Sequence, residues 1–328
     1  MKKRVWIILI TLLFCAVLLS IFVGGSNIPI REVIKALFNN SENTSIASII
    51  WQVRIPRSIL AILVGASLAV CGCVMQGMLR NPLAEPYTLG ISGGAALGVM
   101  IVSFFSIGFA ARSGAAFIGA VLAGALVFMT AQRRSLTVLN LVLAGIMVTI
   151  LTSSIILFLT ALSNSGNLHM TMLWLMGDIS ISNYKNLLAL SILMISGVLF
   201  LIYFGRDVDI LSLGEDKAKQ LGVSSSRIIK ILFLGITILT AFSVAFAGVI
   251  SFVGIVVPHV MRKIVGPKHR ALITAAAFAG AIYVLTADVF ARLVLYPVQL
   301  PLGVVTGIIG SIFFLVIITK KGIRSYGR

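Results

Sequence analysis

The chain has 328 residues, of which 59% are hydrophobic and only 11% charged, with a formal net charge of +17. Together with a mean hydropathy of +1.12, so little polar surface excludes a soluble globule of this size and points to a polytopic membrane protein. The basic excess reads as topology rather than as a nucleic-acid footprint, because Lys and Arg are retained on the cytoplasmic side of membrane proteins.

In chain order, "MKKR" precedes an apolar run from Val5 to Val23 that is longer than a signal-peptide core and has no A-x-A cleavage site, so an uncleaved first helix is expected. Apolar stretches near the roughly 20 residues needed to cross a bilayer, uncharged except for Asp288, centre on 5–24, 58–79, 87–107, 114–131, 138–160, 186–204, 271–290 and 301–319. Residues 231–261 are also uncharged, too long for one helix, and hold "AFAGVISFVG" in the middle. Two spans turning near Ala247 and Gly248 place the N-terminus, Arg80, "QRR", the loop from Gly205 to Lys230, "RKIVGPKHR" and the tail on one side, the cytoplasmic one. The expectation is an all-α integral membrane protein of ten transmembrane helices with both termini cytoplasmic, forming a single domain over residues 1–328. The segments "GASLAVCGCVMQGMLRNPLAEP" and "AFSVAFAGVISFVGIVVPHVMR" share small residues, glycines and a late proline in helices of opposite direction, the pattern of an inverted repeat.

"RIPR" opens the second span, with Pro56 suited to a first helical turn. Arg54 and Arg57 would then stand at a helix N-terminus, where the macrodipole disfavours cations, so either lipid headgroups or carboxylates of an external partner should hold them. Arg292 could join them, although Asp288, four residues earlier, can pair with it within the helix. "RNPLAEPYTLGISGGAALG", from Arg80 to Gly98, interrupts the apolar pattern with prolines and glycines. Irregular backbone at membrane depth is tolerated only where protein or a water-filled path covers it, so the stretch marks a helix end or a transport path.

In the loop from Gly205 to Lys230, Ser212 and Glu215 have the spacing of a capping box, Leu213, Ala218 and Leu221 form an apolar stripe, and Gly222 is a helix stop. A short docking helix for a cytoplasmic partner is expected there, with a lipid-lying helix as the alternative. The chain contains no GxxxxGK[ST] phosphate loop, so it does not hydrolyse ATP by that route. "ISGGA" at 91–95 lies in an apolar helix and is no nucleotide signature. Ser92 within "GISG" and His259 could together suggest an intramembrane hydrolase, and Asp288 an ion-driven carrier; neither accounts for the other motifs. Cys15, Cys71 and Cys73 fall in apolar runs and imply neither a disulfide frame nor a metal site. His169, His259 and His269 are scattered and the spans hold almost no carboxylates, which disfavours a site for a bare metal ion.

"RIPR", "GCVMQGMLRNPLAEPYTLGISGGAALG", "WLMGD", "LGEDKAKQLGV", "GVISFVGIVVPHVMR", "ADVFAR" and "LPLGVVTGIIGSIFFL", in this order over residues 50 to 320, resemble the FecCD family of ABC-importer permeases, which take up ferric siderophores, haem and cobalamin. The resemblance implies the type II importer fold: a homodimer, or a heterodimer with a paralogue, around a central pathway in the cytoplasmic membrane. Two ATPase subunits using ATP and Mg would sit below and a substrate-binding protein above, with no cofactor held by this chain. It implies that Gly214, Glu215, Ala218, Leu221 and Gly222 belong to a coupling helix seated in the ATPase. Arg54, Arg57 and Arg292 would meet acidic residues of the binding protein. Asn81, Pro82, Glu85, Pro86 and Gly90 would form the linker beside the pathway, with Gly94 and Gly98 allowing close helix contact. Where the cobalamin importer of the family has a polar gate, the segment after "QRRSLTVLNL" becomes apolar, so gate residues stay unassigned. Ferric siderophore is the expected cargo, with haem and cobalamin as alternatives.

Overall fold

The computed structural model describes residues 2–25, 28–38, 45–105, 109–133, 136–163, 171–179, 184–296 and 298–320. These residues form helices and no strands: α1 (Lys2–Phe22), α2 (Ile30–Phe38), α3 (Ser45–Leu79), α4 (Ile91–Phe104), α5 (Phe109–Gln132), α6 (Val138–Leu162), α7 (Tyr184–Tyr203), α8 (Gly205–Ser212), α9 (Glu215–Gln220), α10 (Ser225–Ala247), α11 (Val253–Val265), α12 (His269–Leu293) and α13 (Leu302–Lys320). Seven of the described helices are long and apolar enough to cross a membrane, and Ile91–Phe104 and Leu302–Ile317 are shorter apolar helices. The ten expected spans map onto these nine and α11. The ambiguous apolar run does break at Ala247, but its second half is a 13-residue helix, about 20 Å long at 1.5 Å per residue, which is too short to cross alone.

Helix α3 is the hub. It is apolar around its circumference, and the side chains of Leu60, Val64, Val70, Cys71, Val74 and Met75 are fully buried, as expected of a helix surrounded by others. Glycines set the spacing of its neighbours. A Cβ at Gly65 would lie 2.3 Å from the carbonyl oxygen of Gly280 on α12, and one at Gly72 2.1 Å from that of Gly254 on α11. Backbones approach this closely only where no side chain intervenes. Gly94 and Gly98 do the same for α4 against α5, where a Cβ would meet Gly119 O at 2.4 Å and Ala115 O at 2.2 Å. A close helix contact at these two glycines is what the family resemblance implies, and the structure gives α5 as the partner. On the periphery, α1 leaves Ile7, Ile8, Ile10 and Phe14 exposed, the lipid-facing side of a span whose Trp6 packs edge-on against Phe278 of α12.

The start of the second span differs from the sequence expectation. The helix runs continuously from Ser45, with a π-helical stretch at Ile49–Arg54 just before Pro56. Proline has no N–H to donate and its ring crowds the carbonyl one turn back, so a widened turn lets the helix continue through it. Arg54 and Arg57 are therefore inside a helix and not at its N-terminus, and the macrodipole argument does not apply to them.

Candidate functional site

Two ends of the bundle and a junction between them carry the polar chemistry. One end holds Arg80, the 205–230 loop and the start of α12; the other holds Arg54, Arg57, Asp288 and Arg292.

At the latter end the three arginines point inward. Arg54 is 4% exposed, and its Nη1 donates to the carbonyls of Ile21 and Phe22 at 2.7 and 3.2 Å. It thus satisfies the last turn of α1, where a cation also complements the dipole. Arg57 Nε donates to Asp288 Oδ1 at 2.9 Å, and its Nη2 stands 3.7 Å from Asp178 Oδ1. Arg292 Nη2 lies 3.0 Å from Asp288 Oδ2, a close ion pair whose angle is off the line of a hydrogen bond, and donates to Ser20 Oγ at 3.1 Å. The intrahelical Asp288–Arg292 pair foreseen from the sequence is present. The wholly buried Asp288 holds two cations by its two oxygens and so joins α3 to α12, and Arg54 and Arg292 extend the network to α1. Arg54 and Arg292, expected to meet acidic residues of an external partner, are buried in this chain and engaged within it. Only Arg57, through the 60%-exposed side chain of Asp178, reaches toward the surface. An Asp288 locked in this way is also ill suited to the reversible ion binding of a carrier.

The broken stretch is a turn followed by a return along the bundle. Arg80 ends α3 in the left-handed region (φ 50°). Asn81 Oδ1 accepts from the Leu83 N–H at 2.9 Å and the Asn81 carbonyl from the Ala84 N–H at 3.1 Å; Pro82 follows it half-buried. Pro86, buried, opens a 3-10 turn at Pro86–Leu89 that Gly90 ends at φ 78°. A Cβ on Gly90 would touch Val148 of α6 at 3.0 Å. Glu85 is half-buried; burial pushes its carboxyl up to about 7, partly offset by the hydrogen bond from the Phe252 backbone.

That contact belongs to a junction of broken segments. Tyr87 Oη accepts from the Ile250 N–H at 3.3 Å. The Asp178 N–H donates to Ala247 O at 3.0 Å, Leu302 N–H to Gly177 O at 3.1 Å, and Gly303 N–H to Met176 O at 2.9 Å. Gly177 and Gly248 have φ of 80° and 65°, and Phe252, without a glycine's freedom, has 68°. Backbone groups freed by three breaks thus satisfy one another, and the fourth break supplies the side chains of Tyr87 and Glu85, as irregular backbone among spanning helices requires. The sequence shows each break, but "WLMGD", "AGVISF" and "LPLG" are far apart in the chain and nothing in their composition pairs them.

At the opposite end the short helix predicted after Ser212 is present as α9, beginning at Glu215. Gly214 is its N-cap (φ 109°) with no side-chain cap. Ser212 instead ends α8, its hydroxyl donating to Asp209 O at 2.7 Å, so the expected capping by Ser212 is corrected; the side chain of Glu215 lies outside the described residues. The stop at Gly222 stands: with φ 78°, its N–H bonds Lys219 O and the Val223 N–H bonds Ala218 O, at 3.0 and 2.9 Å, the two bonds of a Schellman end. The apolar stripe divides. Ala218 is 0% exposed, whereas Leu213 and Leu221 are 54% and 59% exposed. Ala218 therefore seats α9 on its own subunit, while the two leucines that flank the helix are left exposed.

No hydrogen bond joins Ser92, in the first turn of α4, to His259, within α11, among the described residues, so the hydrolase pairing is absent. His169 lies outside the described residues, and no group of three or more His, Cys, Asp or Glu that could hold a metal occurs among those described.

A glycine-packed helical bundle with a junction of interrupted spans and a small helix projecting at one end is the architecture of a membrane permease. The sequence profile of the FecCD transport family matches residues 11–320. The chain belongs to the FecCD transport family. It is 34% identical, over 97% of its length and 95% of the relative's, to an ABC transporter permease protein of Methanocaldococcus jannaschii. It is 41% identical, over 84% of its length and 83% of the relative's, to the vitamin B12 import system permease protein BtuC of Yersinia pseudotuberculosis. Among solved structures, an inward-facing metal-chelate type ABC transporter superposes with a TM-score of 0.84 at 29% identity, covering 98% of this chain and 100% of that one.

Proposed function

We propose that this chain is the membrane-spanning subunit of an ATP-driven importer that passes an intact metal chelate, a ferric siderophore, into the cytoplasm. The observation that carries this reading is the end-to-end likeness to the metal-chelate type transporter. In this reading the chain lies in the cytoplasmic membrane as ten spans with both termini inside. It pairs with a second copy or a paralogue and receives cargo from a binding protein at the Arg57–Asp178 end. Two ATPase subunits bind α9 and the exposed leucines that flank it and hydrolyse ATP with Mg; the chain itself holds no cofactor. The linker at Asn81, Pro82, Glu85, Pro86 and Gly90 and the junction it meets line the route. The cargo supplies its own ligand shell; the spans, poor in carboxylates and imidazoles, are ill suited to a bare metal ion.

A second reading, cobalamin import, is favoured by the 41% identity to BtuC. Uptake by cells expressing the permease with its own binding protein and ATPase, tested with labelled ferric hydroxamate, ferric catecholate, haem and cyanocobalamin, separates the two. A ferric siderophore is expected to compete and accumulate. Accumulation of cyanocobalamin alone would replace the cargo but keep the permease, and accumulation of none would overturn the transport reading.

A further inference from the structure

The helix preceding α9 is fixed to the bundle by an interaction that the family likeness does not assign. Asp209, on α8, accepts through Oδ1 from the backbone N–H of His269 at 2.9 Å and meets its ring Nδ1 at 2.7 Å. His269 is the first residue of α12, so one carboxylate oxygen takes both a helix-start N–H and the ring, where the helix dipole favours an anion. A carboxylate in this position only accepts, so Nδ1 carries a proton. The other ring nitrogen faces α3: a Cβ on Gly77 would lie 2.5 Å from His269 Nε2 and 2.4 Å from Val208 Cγ1. The absence of a side chain at Gly77 is what admits both groups. A further close approach holds α8, where a Cβ on Gly205 would meet Arg270 Cα at 2.8 Å.

The same helix α12 carries Asp288 and Arg292 at its far end and touches α3 backbone-to-backbone at Gly280. It is tied by a carboxylate at each end and by glycine contact in between. From Asp209 to the start of α9 the chain makes only the last turn of α8 and the Leu213–Gly214 link.

We propose that Asp209 and His269 are positioning residues for energy coupling: they clamp α8, and with it α9, to the start of α12, so that a displacement of α9 by the ATPase is delivered to the α3–α12 pair and its distant arginine cluster. The inference rests on the reading of α9 as the ATPase contact. Without the clamp, α9 would still bind its partner but would move on a slack tether.

The test is the complete transporter, with its ATPase and binding protein, in proteoliposomes, measuring ATP hydrolysed per cargo imported. Radioiron-labelled ferric hydroxamate is the probe, and cyanocobalamin the second. Asp209→Ala and His269→Ala are each expected to raise the ratio about five-fold or more, while Asp209→Asn, which keeps an oxygen to accept both N–H groups, stays within about two-fold. ATPase copurification should be unchanged in all three. The double variant Asp209→Ala/His269→Ala should be no worse than either single, since one clamp cannot be lost twice. Asp209 is partly exposed, so its truncation should leave insertion intact; Asp209→Gln, which displaces the acceptor by one methylene, is the second variant and should show the same loss. An unchanged ratio in Asp209→Ala and Asp209→Gln, or additive losses in the double variant, would overturn the clamp alone. A wild-type protein that neither imports a probe nor retains an ATPase would overturn the transport reading and the clamp with it.

Discussion

The two ends of the bundle use charged and apolar groups in opposite ways. At the arginine end, charge is drawn inward: Arg54 and Arg292 are each 4% exposed and Asp288 is fully buried. At the α9 end, charge stays outward, on Asp216, Lys217 and Lys219, and Leu213 and Leu221 stand exposed beside it. A run of arginines near a span end therefore does not by itself advertise a docking site, and here it knits α1, α3 and α12 together. Reversing Arg54 and Arg57 to glutamate would break that network before it tested any partner, so the informative substitutions are those that treat the two ends separately.

The largest effect is expected at Asp288. Asp288→Ala leaves the guanidinium groups of Arg57 and Arg292 without their shared carboxylate, and removing one partner of a buried ion pair typically costs about 3–5 kcal/mol. Thermal unfolding of the detergent-solubilised permease should drop sharply, with reduced membrane levels. An unchanged melting temperature would mean that the arginines find water or lipid instead, and the contrast between the two ends would vanish.

The next effect sharpens the other side. Leu221→Asp places a charge on the outward face of α9 and should lower ATPase copurification about ten-fold or more, the equivalent of at least 1.4 kcal/mol, while leaving the melting temperature of the permease alone in place. Ala218→Glu should behave differently. Ala218 is buried on its own subunit, so a glutamate there should unseat α9 and lower the stability of the isolated chain as well. Equal behaviour of the two variants would show that α9 has no distinct inner and outer faces.

Much of this was legible in the sequence because the signals were local. Hydropathy located the long apolar helices, "AFAGVISFVG" located the break at Ala247, Gly222 located the end of α9, and Gly94 with Gly98 marked a close helix contact without naming its partner. What the sequence hid depends on partners far away in the chain. Leu213, Ala218 and Leu221 are periodic enough to suggest one stripe, but only the seating of α9 after the Gly214 turn decides that Ala218 faces in. Pro56 reads as a helix start, because the π-helical turn that lets α3 continue through it has no signature in the residues around it. Asp209 and His269 are 60 positions apart, and neither stands in a pattern that would bring the other to mind.

The smallest effect concerns the entry to α9. From spacing alone, Ser212 should cap the helix, and its loss should cost about 1 kcal/mol. In the structure that hydroxyl is exposed and donates to the Asp209 carbonyl at the end of α8, so Ser212→Ala is expected to change stability by less than about 0.5 kcal/mol. Gly214 carries the turn instead. Its φ of 109° is a region that other residues enter only with strain of about 1–3 kcal/mol, so Gly214→Ala should exceed Ser212→Ala both in lost ATPase association and in lowered melting temperature. The order of the pair is the measurement that matters. If Ser212→Ala proved the more damaging, α9 would begin one turn earlier than the structure places it, and the division of its leucines from Ala218 would have to be redrawn.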